Sequence, residues 1–172
     1  MNREYDVIIV GGGPAGMTAA IYAKRAALST LVIEKQPFCG GQVLNTYEVD
    51  NYPGFPGIDG FSLSDKFHSH AKKLEAEFYT GEMAELRDEG ATKVVVLKKG
   101  EEFRAKAVVL ALGAVHKRAG VAGEDAMAGR GVSYCATCDG AFFRNKTVAV
   151  IGGGDVALEM PFSLPAHVRK YM

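Results

Sequence analysis

Short apolar runs separated by glycine-rich turns recur along the chain. Val7-Ile-Ile-Val10 is four apolar, mostly β-branched residues in succession, the pattern of a strand buried on both faces of a parallel sheet. It runs into Gly11, Gly13 and Gly16, spaced G-x-G-x-x-G, and then into Met17 to Arg25, whose composition favours helix. A second apolar strand follows at Thr30–Glu34. Ser62 to Glu77 carries Leu63, Phe67, His70 or Ala71, and Leu74 at helical spacing, with Ser62 or Ser64 available as cap. Thr92–Leu97, a Lys-Lys-Gly-Glu turn and Glu101–Arg104 read as a β-hairpin, expected to form a small antiparallel layer packed on the parallel sheet. Lys106 to Ala114 reads as a further buried strand. Lys146 to Ile151 repeats the strand-then-glycine pattern of the amino terminus.

These elements predict an α/β fold. It consists of a Rossmann-like ββα sandwich with a parallel sheet and a small antiparallel layer, followed by an incomplete second Rossmann-like unit. The polar, glycine-bearing stretch His116 to Arg130 is a connector. The expected division is residues 1–115 and 116–172.

The 172 residues hold 20 basic and 20 acidic side chains, so no strong field recruits nucleic acid or an anionic membrane. No apolar run approaches the roughly 20 residues of a membrane helix. The amino-terminal run is too short for a signal peptide and leads straight into the glycine turn. The three cysteines, two of them as C-x-x-C, argue against a secreted disulfide scaffold and for redox or metal chemistry.

The first glycine turn has a mechanical logic. Gly11 permits the tight turn, Gly13 lets a pyrophosphate approach the backbone, and Gly16 lets helix and strand pack closely. Pro14 suits the first helical turn, whose N–H groups face the anion. Glu34 ends the second strand, roughly twenty residues after the turn. There a carboxylate can accept from an adenosine ribose, which disfavours a 2′-phosphate and suits FAD or NAD. The alternative is an ordinary βαβ unit with a solvated Glu34. Gly113, at the carboxyl edge of its strand, either returns to the same dinucleotide or is a simple turn. Asn51 lies in the proline- and glycine-rich loop Glu48–Gly57, as a turn former or as a contact to a heterocycle edge. Cys39 reads as a small packing residue rather than a redox group. His68 and His70, two apart on a helix, point in different directions and do not pair on a metal.

Cys135 and Cys138 can close a small disulfide ring or stand as a dithiol, with Asp139 beside them to deliver or accept a proton. Half a zinc site is the competing reading, but no second C-x-x-C or suitably spaced histidine pair completes it. Gly152, Gly154 and Ala157 then repeat the fingerprint as G-x-G-x-x-A. Two dinucleotide turns bracketing a C-x-x-C suggest a relay: a flavin at one, a nicotinamide at the other, and the dithiol receiving electrons.

VGGGPAG, GGQ, EVDNYPG, SYCATCDG and VIGGGDVALE together make the chain resemble the low-molecular-weight thioredoxin reductases of bacteria and archaea, from about Tyr5 to Glu159. The resemblance implies an FAD domain interrupted in sequence by a nicotinamide domain. It further implies FAD contacts from Gly11, Gly13, Pro14, Ala15, Gly16, Glu34, Lys35, Gly41, Gln42 and Asn51. Cys138 would face the flavin, Cys135 would attack the protein disulfide, and Asp139 would be the acid–base group. Gly152, Gly154, Asp155 and Ala157 would open the NADPH site. The implied activity passes electrons from NADPH through FAD to Cys135/Cys138 and on to thioredoxin or a thioredoxin-like protein, in a cytoplasmic homodimer without nucleic acid, membrane or metal. Family members continue well past Met172, so the chain reads as truncated within the nicotinamide-binding domain. Pro161 and Pro165 are expected to cut short the helix after the second turn. The alternatives are a flavin-binding fragment without turnover, a reductase using another donor such as ferredoxin, and a silent interaction module.

Overall fold

A computed structural model describes residues 4–154, 157–158 and 169–171; the side chains of residues 137, 138 and 169–171 lie outside the description. The chain forms two compact units, Met1–Ala114 and Val115–Met172.

The first unit is built on one six-stranded sheet. In chain order its strands are β1 (Glu4–Val10), β2 (Thr30–Glu34), β3 (Glu77–Thr80), β4 (Met83–Glu89), β5 (Thr92–Leu97) and β6 (Glu102–Leu110), arranged β3-β2-β1-β6-β5-β4. β1 pairs in parallel with β2 and β6, and β2 with β3, while β4, β5 and the start of β6 are antiparallel. Helices α1 (Pro14–Arg25) and α2 (Gly60–Lys73) complete the unit.

Period-two alternation sorts the core into two layers. Val7, Ile9 and Val32 pack with Met17 and Ala20 of α1 and Ala71 of α2. Ile8, Val10, Leu31 and Ile33 point the other way, onto Val95, Leu97 and Ala105 of the antiparallel strands. Ile8 and Ile9 are completely buried, and each such side chain contributes about 1.5–3 kcal/mol of hydrophobic stabilisation. The antiparallel strands thus cover the face opposite the helices while remaining joined to the sheet through β6. Asp6 fastens the start of the sheet. It accepts from the Ser29 amide at 2.9 Å and hydroxyl at 2.8 Å, and pairs with Lys106 at 2.7 Å.

Several expectations are corrected. Glu101–Arg104 and Lys106–Ala114 are one continuous strand, β6, which ends at Leu110. Its second half is not buried: Val109 is 39% exposed and Leu110 51%. Along β6, β5 reaches only Glu102–Ala105, so among the described residues nothing pairs with the other edge of positions 106–110. α2 starts two residues before Ser62 and stops before Glu77. Its cap is Asp59, whose carboxylate accepts from the Ser62 amide at 2.8 Å, and residues 77–80 turn to strand.

In the second unit, α3 (Glu124–Met127) and α4 (Ala136–Asp139) are single turns. β7 (Thr147–Ala149) is shorter than the expected strand and pairs in parallel with β8 (Arg169–Tyr171). Pro161 and Pro165 lie outside the described residues. No helix among the described residues is long and apolar enough to cross a membrane.

Candidate functional site

At the carboxyl end of the parallel strands, backbone groups draw three loops together. The Gly11 amide donates to the Ile33 carbonyl at 2.8 Å, the Ala111 amide to the Val10 carbonyl at 2.8 Å, and the Gly40 amide to the Gly12 carbonyl at 2.7 Å. Gly11 sits at φ +110°, and a Cβ there would collide with the Ala111 carbonyl. A Cβ on Gly16 would collide with the Gly11 carbonyl, so α1 closes on β1 as tightly as backbone allows. Gly13 has no side chain to cap α1, which leaves the first-turn N–H groups to an outside acceptor. Gly41 faces it: a Cβ on Gly41 would stand 3.3 Å from the Gly13 Cα. Pro14 is the first helical residue, and Ala15 is exposed beside it.

Glu34 is half-buried, and both of its carboxylate oxygens have backbone partners. One carboxylate oxygen accepts from the Gly12 amide at 2.6 Å and the other from the Gln36 amide at 2.9 Å. The acid therefore braces the glycine turn, with lone pairs to spare for a further donor. Lys35 and Gly41 are exposed, and the Gln42 side-chain amide donates to the Ala114 carbonyl, next to the exposed Gly113 at φ +69°. Asn51 is exposed in the loop whose Tyr52 packs on Phe67 of α2; among the described residues its side chain is not hydrogen-bonded to the glycine turn. Cys39 is a free, half-buried thiol in the helix-side layer. Burial, and then the charge of Glu34, push it up to about 11.

In the second unit Cys135 is disulfide-bonded. The Cys138 side chain and Asp155 lie outside the described residues. The Asp139 amide donates to the Cys135 carbonyl at 3.0 Å, closing α4. Gly152 sits at φ +138°, with the Ala157 Cβ 3.3 Å from where its own would be, and the Leu158 amide donates to the Gly154 carbonyl at 3.1 Å. Ala157 holds the place relative to Gly152 that Gly16 holds relative to Gly11, but here a Cβ is accommodated.

Sequence reasoning missed three residues here. The Ser133 hydroxyl lies 2.5 Å from Asp139 Oδ2 and 3.1 Å from the Cys135 amide. Tyr134 donates to Glu124 at 2.6 Å, and Glu124 also accepts from the Ala119 and Gly120 amides at 3.0 and 2.7 Å. Glu124 is only 6% exposed, and the Tyr134 hydroxyl, ahead of those amides, brings it down to about 2. Ser133, two residues before a cysteine, was legible as a local turn former. Nothing in the pattern marked Glu124 as buried. His68 packs edge-on to Phe78, and among the described residues no three ligating side chains converge on a metal position.

Residues 5–168 match the model of the pyridine nucleotide-disulphide oxidoreductases. The chain belongs to this family. It is 56% identical over 98% of its length to the thioredoxin reductase of Bacillus subtilis, spanning 53% of that protein, and 53% identical to that of Listeria innocua, spanning 52%. The crystal structure of thioredoxin reductase from Streptococcus pyogenes superposes with a TM-score of 0.88 at 42% identity, over 98% of this chain and 54% of that one. The chain thus spans about half the length of these relatives. The Rossmann-like fold of this oxidoreductase family accounts for both glycine turns.

Proposed function

We propose that this chain carries the FAD-cradling turn and the redox disulfide of an NADPH-dependent thioredoxin reductase. Residues 1–115 are then the amino-terminal portion of the FAD domain, and residues 116–172 the start of the NADPH domain. The observation that carries the reading is the cradle: Gly11 and Gly16 have no room for a Cβ, and Gly13 and Gly41 meet in backbone contact beside the uncapped first turn of α1. Such a surface suits a pyrophosphate, and a carboxylate at the end of β2 suits a ribose. The residues present therefore fit FAD.

In this reading Gly13, Ala15 and Gly16 present N–H groups at the start of α1 to the pyrophosphate, while Gly11 and Pro14 shape the turn around it. Glu34 accepts from ribose hydroxyls with its remaining lone pairs, and Lys35, Gly41, Gln42, Asn51 and Gly113 border the rest. Gly152, Gly154, Asp155 and Ala157 open the NADPH turn. FAD, when bound, supplies two-electron chemistry linking a nicotinamide to a disulfide. The overall reaction takes NADPH, a proton and a disulfide to NADP⁺ and two thiols. Cys135 and Cys138 form the exchanging pair, Cys135 meeting thioredoxin or a thioredoxin-like protein, and Asp139 supplies or accepts the proton. The homodimer and the cytoplasmic location implied by the resemblance belong to the same proposal.

The visible spectrum of the purified chain tests this. Flavin bands that bleach under anaerobic NADPH support it. Bands that bleach only with another reductant reduce the chain to a flavin-holding unit, and a colourless protein that takes up no added FAD overturns the reading.

A further inference from the structure

We propose that Ser133 is a positioning residue for disulfide exchange, its hydroxyl tying the Asp139 carboxylate to the backbone of Cys135. This rests on the reading of Asp139 as the acid–base group.

A serine hydroxyl has one proton to donate. Two acceptors lie in reach of Ser133 Oγ: Asp139 Oδ2 at 2.5 Å and the Cys135 carbonyl at 3.2 Å. The charge-assisted, shorter bond takes the proton. A lone pair of the same oxygen accepts the Cys135 amide at 3.1 Å. One oxygen therefore joins the backbone of the redox cysteine to the carboxylate, over the turn that the Asp139 amide closes on the Cys135 carbonyl. Asp139 is half-buried at the end of a single turn. Among the described residues the Ser133 hydroxyl is the one side-chain partner of the Asp139 carboxylate. Ser133 acts through Asp139 and touches no reacting atom.

During exchange an incoming thiolate attacks Cys135 Sγ and forms a new S–S bond. The old bond breaks, its electron pair leaves on the Cys138 sulfur, and that thiolate takes a proton that the Asp139 carboxylate has first taken up from solvent. With dithiothreitol as reductant, its second thiol then displaces Cys135, giving two cysteine thiols and the cyclic disulfide. A held carboxyl group makes the proton transfer efficient; a wandering one does not.

The experiment follows reduction of the oxidised full chain by excess dithiothreitol from pH 6 to 9, with thiols trapped by a mass tag. It compares Ser133→Ala, Ser133→Thr, Asp139→Asn and the double variant Ser133→Ala/Asp139→Asn. Ser133→Ala is expected to slow reduction by roughly tenfold, within the range of positioned proton transfer, and to give the pH profile of Asp139→Asn. Ser133→Thr restores the wild-type profile, and the double variant is no slower than Asp139→Asn. A wild-type rate for Ser133→Ala while Asp139→Asn is slow, or effects that multiply in the double variant, overturns the role of Ser133 alone. A wild-type rate for Asp139→Asn overturns the acid–base reading and this inference with it. Should Ser133→Ala not fold, the unmodified chain still decides. A Ser133 hydroxyl proton seen by NMR and lost in Asp139→Asn supports the tie, and its absence from the unmodified chain overturns it.

Discussion

The Glu34 carboxylate is fastened to the Gly12 amide at 2.6 Å, so the acid that ends β2 closes over the turn that ends β1. Both strands deliver their ends to the same edge because β1 and β2 run parallel, Val10 opposite Ile33. In the proposed reading the same carboxylate also receives a ribose, so it holds the cradle and the ligand at once.

Glu34→Ala is therefore expected to weaken FAD binding. A hydrogen bond to a charged group contributes about 1.5–3 kcal/mol, which corresponds to a rise in dissociation constant of about 10- to 150-fold. Titration followed by flavin fluorescence reads this directly, and an unchanged constant removes Glu34 from the site.

Gly11→Ala places a methyl group on a backbone at φ +110° and against the Ala111 carbonyl. Strain of this kind costs about 1–3 kcal/mol. The urea midpoint of the first unit should fall accordingly, whether or not FAD is added. Gly54→Ala, also at positive φ but facing open space, makes the control that isolates the collision.

Glu124 is brought down to about 2 from an ordinary value of 4.5, first by the Tyr134 hydroxyl. A carboxylate with a depressed folded pKa stabilises the fold above its unfolded value, and that contribution is lost as pH falls through the folded one. The chain should therefore lose stability between about pH 4.5 and 2. Tyr134→Phe should flatten this fall, because the largest cause of the depression is gone. Urea midpoints at pH 5, 4 and 3 compare the two, and parallel slopes would contradict the argument.

Cys39, pushed up to about 11, is expected to be nearly inert to iodoacetamide in the folded chain. At pH 8 about one molecule in a thousand carries the thiolate, the nucleophilic form. Mass spectrometry should find Cys39 unlabelled in native protein and labelled in urea. Rapid native labelling would mean the loop after β2 is open.

The exposed end of β6 predicts behaviour in solution. Leu110 is half-exposed beside an edge that nothing pairs among the described residues, and such edges associate. Leu110→Lys should lower concentration-dependent light scattering while changing the urea midpoint little.

Sequence alone determined the parallel strands β1 and β2 and the apolar run of β6, both glycine turns, Glu34 at the end of its strand, and the C-x-x-C with its neighbouring acid, but not the parallel strand β3. These are local patterns, in which period, spacing and the missing Cβ of glycine carry the information. It also settled the fold class, because two-faced apolar runs such as Val7–Val10 have few places to go except a covered parallel sheet. Tertiary structure decided what depends on neighbours distant in the chain. Whether Leu110 is buried depends on what pairs with its edge, not on its own apolar run, and the run is silent on that. Capping by Asp59 rather than Ser62 was settled by where the chain enters α2. Glu124 became a buried, tyrosine-bound carboxylate only when residues 119, 120 and 134 folded around it, and Ser133 became a tie only when α4 turned Asp139 back toward it. Burial and hydrogen-bond partnership are properties of a folded neighbourhood, and a single chain written out in order does not contain that neighbourhood.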